Sequence, residues 1–225
     1  MADLNSSNNN KFIKLEGVSK KFKIKGGDFF ALKNINLHVN YGDRVGILGR
    51  NGAGKTTLIK IIGGVTQPSS GNVVRQMKVS WPLAFQGGFQ GSLTGLDNLK
   101  FICRIYGVPW KEKIDFVQDF AELGKFFYEP VKTYSAGMRA RLAFALSIVI
   151  EFDCYLIDEV MVVGDERFRK KCEKELFEKR IDRTFIIASH QPSNLKYCNR
   201  FFVLNNGELI EFENFNKAWE FYKTL

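Results

Sequence analysis

The sequence has little of what builds disulfide frameworks or metal clusters. It holds four cysteines and two histidines in 225 residues. Cys103, Cys154, Cys172 and Cys198 are widely spaced with no CxxC pair, and only His38 and His190 could complete a ligand set with them. This pattern describes reduced thiols that fill space, and it argues against a stapled secreted scaffold or a zinc site. Long apolar runs are also missing. Crossing a bilayer takes ~18 consecutive apolar residues, whereas the longest runs, Val45–Leu48, Phe185–Ala188 and Phe201–Leu204, have the length of strands. Any membrane role must therefore come through a partner. The opening segment MADLNSSNNN is polar and lacks the apolar core of a secretory signal, so residues 1–11 are expected to be a mobile tail on a chain that stays in the cytosol.

What is present is an ordinary folded balance, 45% hydrophobic and 25% charged, with a high count of 21 phenylalanines. The length suits one domain, residues 12–225, carrying an insertion, and would cramp two. The net charge of +9 and the pI near 9.3 suit anionic company, which could be nucleotide phosphate, anionic lipid or nucleic acid. Lysines cluster at Lys20, Lys21, Lys23 and Lys25. A second basic group, Arg167, Arg169, Lys170 and Lys171, is followed by Glu173 and Glu175 and reads as a solvated helix face.

Along the chain, residues 12–39 alternate in short β-like stretches around turn chemistry at Lys25-Gly26-Gly27-Asp28, predicting a small antiparallel sheet. Arg44–Leu48 reads as a strand buried on both faces, followed by a glycine-rich turn and a helix over Thr56–Ile62 that Gly63-Gly64 stops. The stretch from about 93 to 150 reads as mostly helical, with a break at Gly107-Val108-Pro109. Strands return at Cys154–Ile157, Thr184–Ala188 and Phe201–Leu204. A helical segment is expected near Phe168–Lys179, and a hairpin at Asn205-Asn206-Gly207 returns Glu208–Phe212 antiparallel. The fold class is α/β, a mainly parallel sheet with a small antiparallel β subdomain and an inserted helical subdomain.

The chemistry concentrates at Gly49-Arg50-Asn51-Gly52-Ala53-Gly54-Lys55-Thr56, which fits GxxxxGK[ST] between an expected buried strand and an expected helix. Glycines let the backbone wrap closely and turn its amides inward to hold phosphates. Lys55 adds a cation near the β and γ groups, and Thr56 offers a hydroxyl to magnesium. A hydrolase built on this loop also needs a carboxylate on the metal side and a group to orient water, both at the end of a neighbouring strand. Asp158 and Glu159 follow the apolar run Cys154–Ile157. Alone such a pair is a solvated strand end; beside this loop, Asp158 reads as the magnesium ligand and Glu159 as the group polarising the attacking water. His190 closes the next strand, on the rim where parallel strands end together, so it is expected near the γ-phosphate.

The order of these elements, with Tyr134-Ser135-Ala136-Gly137-Met138 between the helical stretch and Asp158-Glu159, resembles the ATP-binding subunits of ABC transporters over nearly the whole chain. Tyr134–Met138 is similar to the LSGGQ signature, retaining Ser135 and Gly137; Ser135 can cap the helix after it and aim a second helix N-terminus at a γ-phosphate. The resemblance implies ATP and Mg2+ as cofactors, with Thr57 beside Thr56 in the nucleotide site. It implies Gln86 as the glutamine touching metal and water, with Gln90 as a rival, and Phe22 as the ring stacking on adenine, against the alternative of a plain core phenylalanine. It also implies Asp165 as a link between two sites of a dimer. Asp158–Phe168 together with Gly88-Phe89 and Leu93-Thr94-Gly95 resembles the ATPases of bacterial polysaccharide exporters for capsule, O-antigen or teichoic acid. The short C-terminal end after the last hairpin suits the capsule-exporting kind.

The same resemblance implies a head-to-tail homodimer sandwiching two ATP between Gly49–Thr56 of one subunit and Ser135–Gly137 of the other. Such a dimer would drive a separate integral membrane permease at the cytoplasmic face of the inner membrane, with a polysaccharide as cargo and no nucleic acid partner. Two rivals stand beside it. An ABC-type ATPase acting on nucleic acid or ribosomes would suit the +9 charge but not a single ATPase unit without a coiled coil. A non-catalytic nucleotide switch is opposed by the presence of both Asp158 and Glu159.

Overall fold

The computed structural model describes residues 11–83, 90–159 and 165–225. The expected N-terminal tail up to residue 10, Gln86 and the stretch 160–164 lie outside them. The chain divides into two compact units, Met1–Pro82 with Phe152–Glu159 and Asp182–Leu225, and Leu83–Glu151 with Val160–Ile181.

The first unit carries both sheets. Strands β1 (Phe12–Ile24), β2 (Gly27–Asn40) and β4 (Ser70–Arg75) form an antiparallel sheet in the order β2-β1-β4. The second sheet has six strands in the order β5-β6-β7-β3-β8-β9, comprising β3 (Arg44–Leu48), β5 (Val79–Pro82), β6 (Cys154–Asp158), β7 (Thr184–Ser189), β8 (Arg200–Asn205) and β9 (Glu208–Phe212). Its neighbours are parallel from β5 to β8, and β9 returns antiparallel. Every residue of β7 is buried, as is β3 beyond Arg44. Unbroken runs such as Thr-Phe-Ile-Ile-Ala-Ser are what a strand covered on both faces requires. Register aligns Leu48 with Ser189, and Asp158 with Ala188, so β3, β6 and β7 finish on one rim. Helix α1 (Lys55–Ile62) buries Leu58, Ile59, Ile61 and Ile62 in the core of this unit.

The second unit is helical. Its helices are α2 (Gly95–Ile105), α3 (Ile114–Ala121), α4 (Ala136–Val149) and α5 (Glu166–Glu173), joined in part by short 3-10 turns. Aromatic packing fills it: Phe120 stacks on Phe144 at 5.8 Å and meets Phe168 edge-on at 5.4 Å, which puts part of the phenylalanine count to use. Asn98 is buried and holds the entry to α2, giving its amide to the Thr94 carbonyl at 2.9 Å and accepting the Gln90 N–H at 3.2 Å. The basic face of α5 is solvated as expected, except that Lys171 turns to Glu122 at 3.1 Å. Back in the first unit, the chain closes with α6 (Phe215–Lys223), capped by Asn214.

The four cysteines are free thiols, three of them buried. No helix of the described residues is long and apolar enough to cross a membrane.

Candidate nucleotide site

The rim shared by β3, β6 and β7 gathers most of the candidate residues. From Leu48 the chain turns through Gly49–Gly54 into α1. A methyl group on Gly49 would stand 2.8 Å from the Leu204 carbonyl oxygen, and one on Gly54 would stand 2.4 Å from that of Ala31. Gly54 also has φ +107°, in the left-handed region. Only glycine fits two such positions, and the loop is thereby pressed against β2 and β8. Inside the loop the Ala53 N–H donates to the Arg50 carbonyl at 3.1 Å. Helix α1 has no side-chain cap and no acidic residue in its first turn. Its first amides and the positive end of its dipole are thus left to attract an anion.

Lys55 begins α1 and is only 5% exposed. Its ammonium donates to the carbonyls of Gly49 at 2.7 Å and Arg50 at 3.1 Å, and pairs with Glu159 Oε1 at 2.9 Å. Glu159 adopts φ +54°, a left-handed conformation costing a residue with a side chain ~1 kcal/mol or more. Its N–H is fixed on the Ala188 carbonyl at 2.8 Å, and Oε1 also meets His190 Nδ1 at 3.1 Å. Burial raises the Glu159 carboxyl, but hydrogen bonds from Lys55 and His190 outweigh it and hold the group below its ordinary value. It is therefore a carboxylate, poised to accept a proton or orient water.

Asp158 behaves in the opposite way. Burial pushes its carboxyl up, the Thr56 hydrogen bond opposes this, and the neighbouring Glu159 charge adds to the rise. Its Oδ1 is buried with no hydrogen-bond partner. A buried orphan carboxylate oxygen next to a hydroxyl and a phosphate loop has the chemistry of a hard-cation ligand.

His190 is held by its neighbours. Ser189 Oγ accepts from the Gln191 N–H at 3.0 Å and the Asn194 amide at 2.9 Å, and the Tyr222 hydroxyl donates to the His190 carbonyl at 3.4 Å. A cleft of about 350 Å³ is lined by Asn51, Gly52, Gly54, Lys55, Thr56, Thr57, Glu159 and, from the β1–β2 hairpin, Phe22, Phe29 and Ala31. Phe22 is 43% exposed, so it is a cleft residue and the core alternative falls away. Sequence reasoning missed Phe29 and Ala31, as it did Ser189, Asn194 and Tyr222 around His190.

In the helical unit, Ser135 and Gly137 occupy the exposed start of α4, where Ser135 Oγ accepts the Met138 N–H at 3.2 Å. Asp165 caps α5 through the Phe168 N–H at 2.9 Å and pairs with Arg141 at 3.0 Å. Of the two glutamines, Gln86 lies outside the described residues. Gln90 is exposed, and its main chain is tied to Asn98.

A phosphate loop between a buried parallel strand and a helix, with two carboxylates on the adjoining strand end, defines a nucleoside triphosphate hydrolase of the P-loop class. Comparison with known proteins narrows this. The sequence profile described as ABC transporter matches residues 32–162. The chain is 56% identical over 93% of its length to the ATP-binding protein BexA of Haemophilus influenzae, covering 97% of that protein. It is 55% identical over 95% of its length to the capsule polysaccharide export ATP-binding protein CtrD of Neisseria meningitidis, covering 99% of it. Among solved structures, a dimeric post-hydrolysis state of the ATP-binding cassette MJ0796 with ADP and Pi has a TM-score of 0.77 at 23% identity, over 89% of this chain and 97% of that one. The chain belongs to the ABC transporter family and is an ATPase of the ABC type.

Proposed function

We propose that this ATPase powers export of a polysaccharide, capsular in kind, through a separate integral membrane permease, acting as a homodimer at the cytoplasmic face of the inner membrane. The observation that carries the cargo is the match over nearly the full length, at 55% identity, to a relative named for capsule polysaccharide export. For the docked, peripheral location the support is the same relative's role in export.

In the hydrolytic step, Gly49–Gly54 and the first turn of α1 receive the phosphates, and Lys55 gives up its carbonyl and Glu159 partners to meet them. The fit to Mg2+ rests on the orphan Asp158 oxygen. Thr56 and Asp158 would hold the ion, and the resemblance adds Gln86, which lies outside the described residues. Held there, the ion would supply positive charge against the phosphates. Glu159, freed from Lys55, accepts the proton of the attacking water, while His190 keeps its hold on Glu159 and steadies the γ-phosphate. Ser135 and Gly137 at the start of α4 close the site from the second subunit.

The test is ATPase activity of wild type and Lys55→Ala, alone and with the permease co-purified from its neighbouring genes. Turnover that needs Lys55 and responds to the permease is expected. Turnover indifferent to the permease would sink the transport reading.

A further inference from the structure

The cleft beside the phosphate loop is divided by chemistry. Its polar lining, Asn51, Lys55, Thr56, Thr57 and Glu159, comes from the loop, α1 and the end of β6, whereas the β1–β2 hairpin supplies only Phe22, Phe29 and Ala31. A triphosphate belongs at the first end. At the second, none of the described hairpin side chains lining the cleft carries a hydrogen-bonding group, so what the hairpin offers a planar heteroaromatic base is ring faces.

Two rings are available. Register across the hairpin sets Phe22 directly opposite Phe29, and residues opposite one another in an antiparallel ladder project from the same face. Phe22 is 43% exposed and Phe29 49% exposed, and both line the cleft. The Lys20 ammonium lies over the Phe22 ring, 5.4 Å from its centroid, which takes up one face of that ring. The hairpin end is pinned by Lys21 and Asp28, 2.7 Å apart, so the pair of rings is presented on a fixed ladder.

We infer that Phe29 is a binding residue for the nucleotide base in its own right, forming with Phe22 a two-ring platform on the hairpin. This rests on the reading of the cleft as the ATP site. Because stacking is indifferent to base-edge pattern, the platform selects for a flat base on a triphosphate and leaves the phosphate end untouched when one ring is lost.

The experiment is calorimetric titration of ATP and of inorganic triphosphate, each with Mg2+, into wild type, Phe29→Ala, Phe29→Leu and Phe29→Tyr. Loss of one ring is expected to weaken ATP binding by about 10-fold in both the alanine and leucine variants. Triphosphate binding should stay as in wild type, and tyrosine should restore ATP binding. In a Phe29→Trp variant, indole emission should be quenched by ATP and not by triphosphate. Unchanged ATP affinity in the alanine and leucine variants would overturn the inference. So would an equal loss for both ligands, which would mark a hairpin that merely supports the loop. Wild-type protein that binds neither ligand would overturn the nucleotide reading beneath it.

Discussion

Asp158 and Glu159 are chain neighbours with opposed electrostatics, which gives them opposite mutational signatures. Asp158 carries a buried, unpartnered oxygen and a raised carboxyl, so its ionised form is a cost to the nucleotide-free fold. Asp158→Asn is expected to raise the melting temperature of the nucleotide-free protein at neutral pH while abolishing Mg2+-dependent hydrolysis and the stabilisation that Mg-ATP brings. Glu159 is paired with Lys55 and His190 and held low. Glu159→Gln should therefore lower the melting temperature, keep ATP binding, and cut turnover by ~10²–10⁴-fold, the usual worth of a positioned general base. Scanning calorimetry of both variants beside an ATPase assay separates them; a shift of the same sign in both would refute the contrast. The placement of these residues at the end of a buried strand was legible in sequence because a continuous apolar run fixes it locally. The two-ring platform was not: that Phe29 faces Phe22 depends on the hairpin register. Gln86 lies outside the described residues, and its assignment stands on resemblance.

At the scale of elements, legibility followed the strength of the local signal. Strands β3, β6, β7 and β8 were readable because double burial writes a continuous apolar run. Strand β4, Ser-Gly-Asn-Val-Val-Arg, and β5, four residues ending in proline, carry no such pattern and exist because a neighbouring strand pairs with them. Helix α6 was missed although Asn214 caps it; its aromatic run obscured a helical period. Nor did sequence disclose that α5 runs into a π-helical turn, Lys174–Glu178, whose Glu175 is buried against Arg180 at 2.9 Å. Arg180 also donates to the Ile148 carbonyl at 3.0 Å and reaches Glu151 at 3.1 Å, tying that turn to the end of α4. Breaking such a buried network from one side costs about 3 kcal/mol, so Arg180→Met should destabilise the protein by that order in urea unfolding. The pH dependence has a definite sign. Burial raises the Glu175 carboxyl, but Lys179 and Arg180 together hold it below its unfolded value. The stability it contributes is present above the unfolded carboxylate pKa and is lost as pH falls through the folded one. The deficit of Arg180→Met relative to wild type should narrow across that window; a deficit constant with pH would assign the role of Arg180 to packing alone.

At the scale of the whole molecule, the proposed complete site draws on groups from both compact units. The residues proposed for hydrolysis, Lys55, Asp158, Glu159 and His190, lie in one compact unit, while Ser135 and Gly137 sit at an exposed helix start in the other. If the site is closed by the second subunit, the two groups need not come from the same chain. Lys55→Ala destroys the loop and leaves the α4 start intact, whereas Ser135→Arg blocks the α4 start and leaves the loop intact. Each homodimer is then expected to be inactive. A mixed dimer has one composite site with both defects and one with neither. Half the dimers in an equimolar mixture are mixed and each keeps one of two sites, so activity should recover to about a quarter of wild type if the sites act independently. Nucleotide binding by Ser135→Arg alone should persist, because its loop and hairpin are unaltered. Turnover measured before and after mixing decides the matter: recovery requires parts from two chains, and a mixture as inactive as its components would exclude independently acting sites shared between subunits.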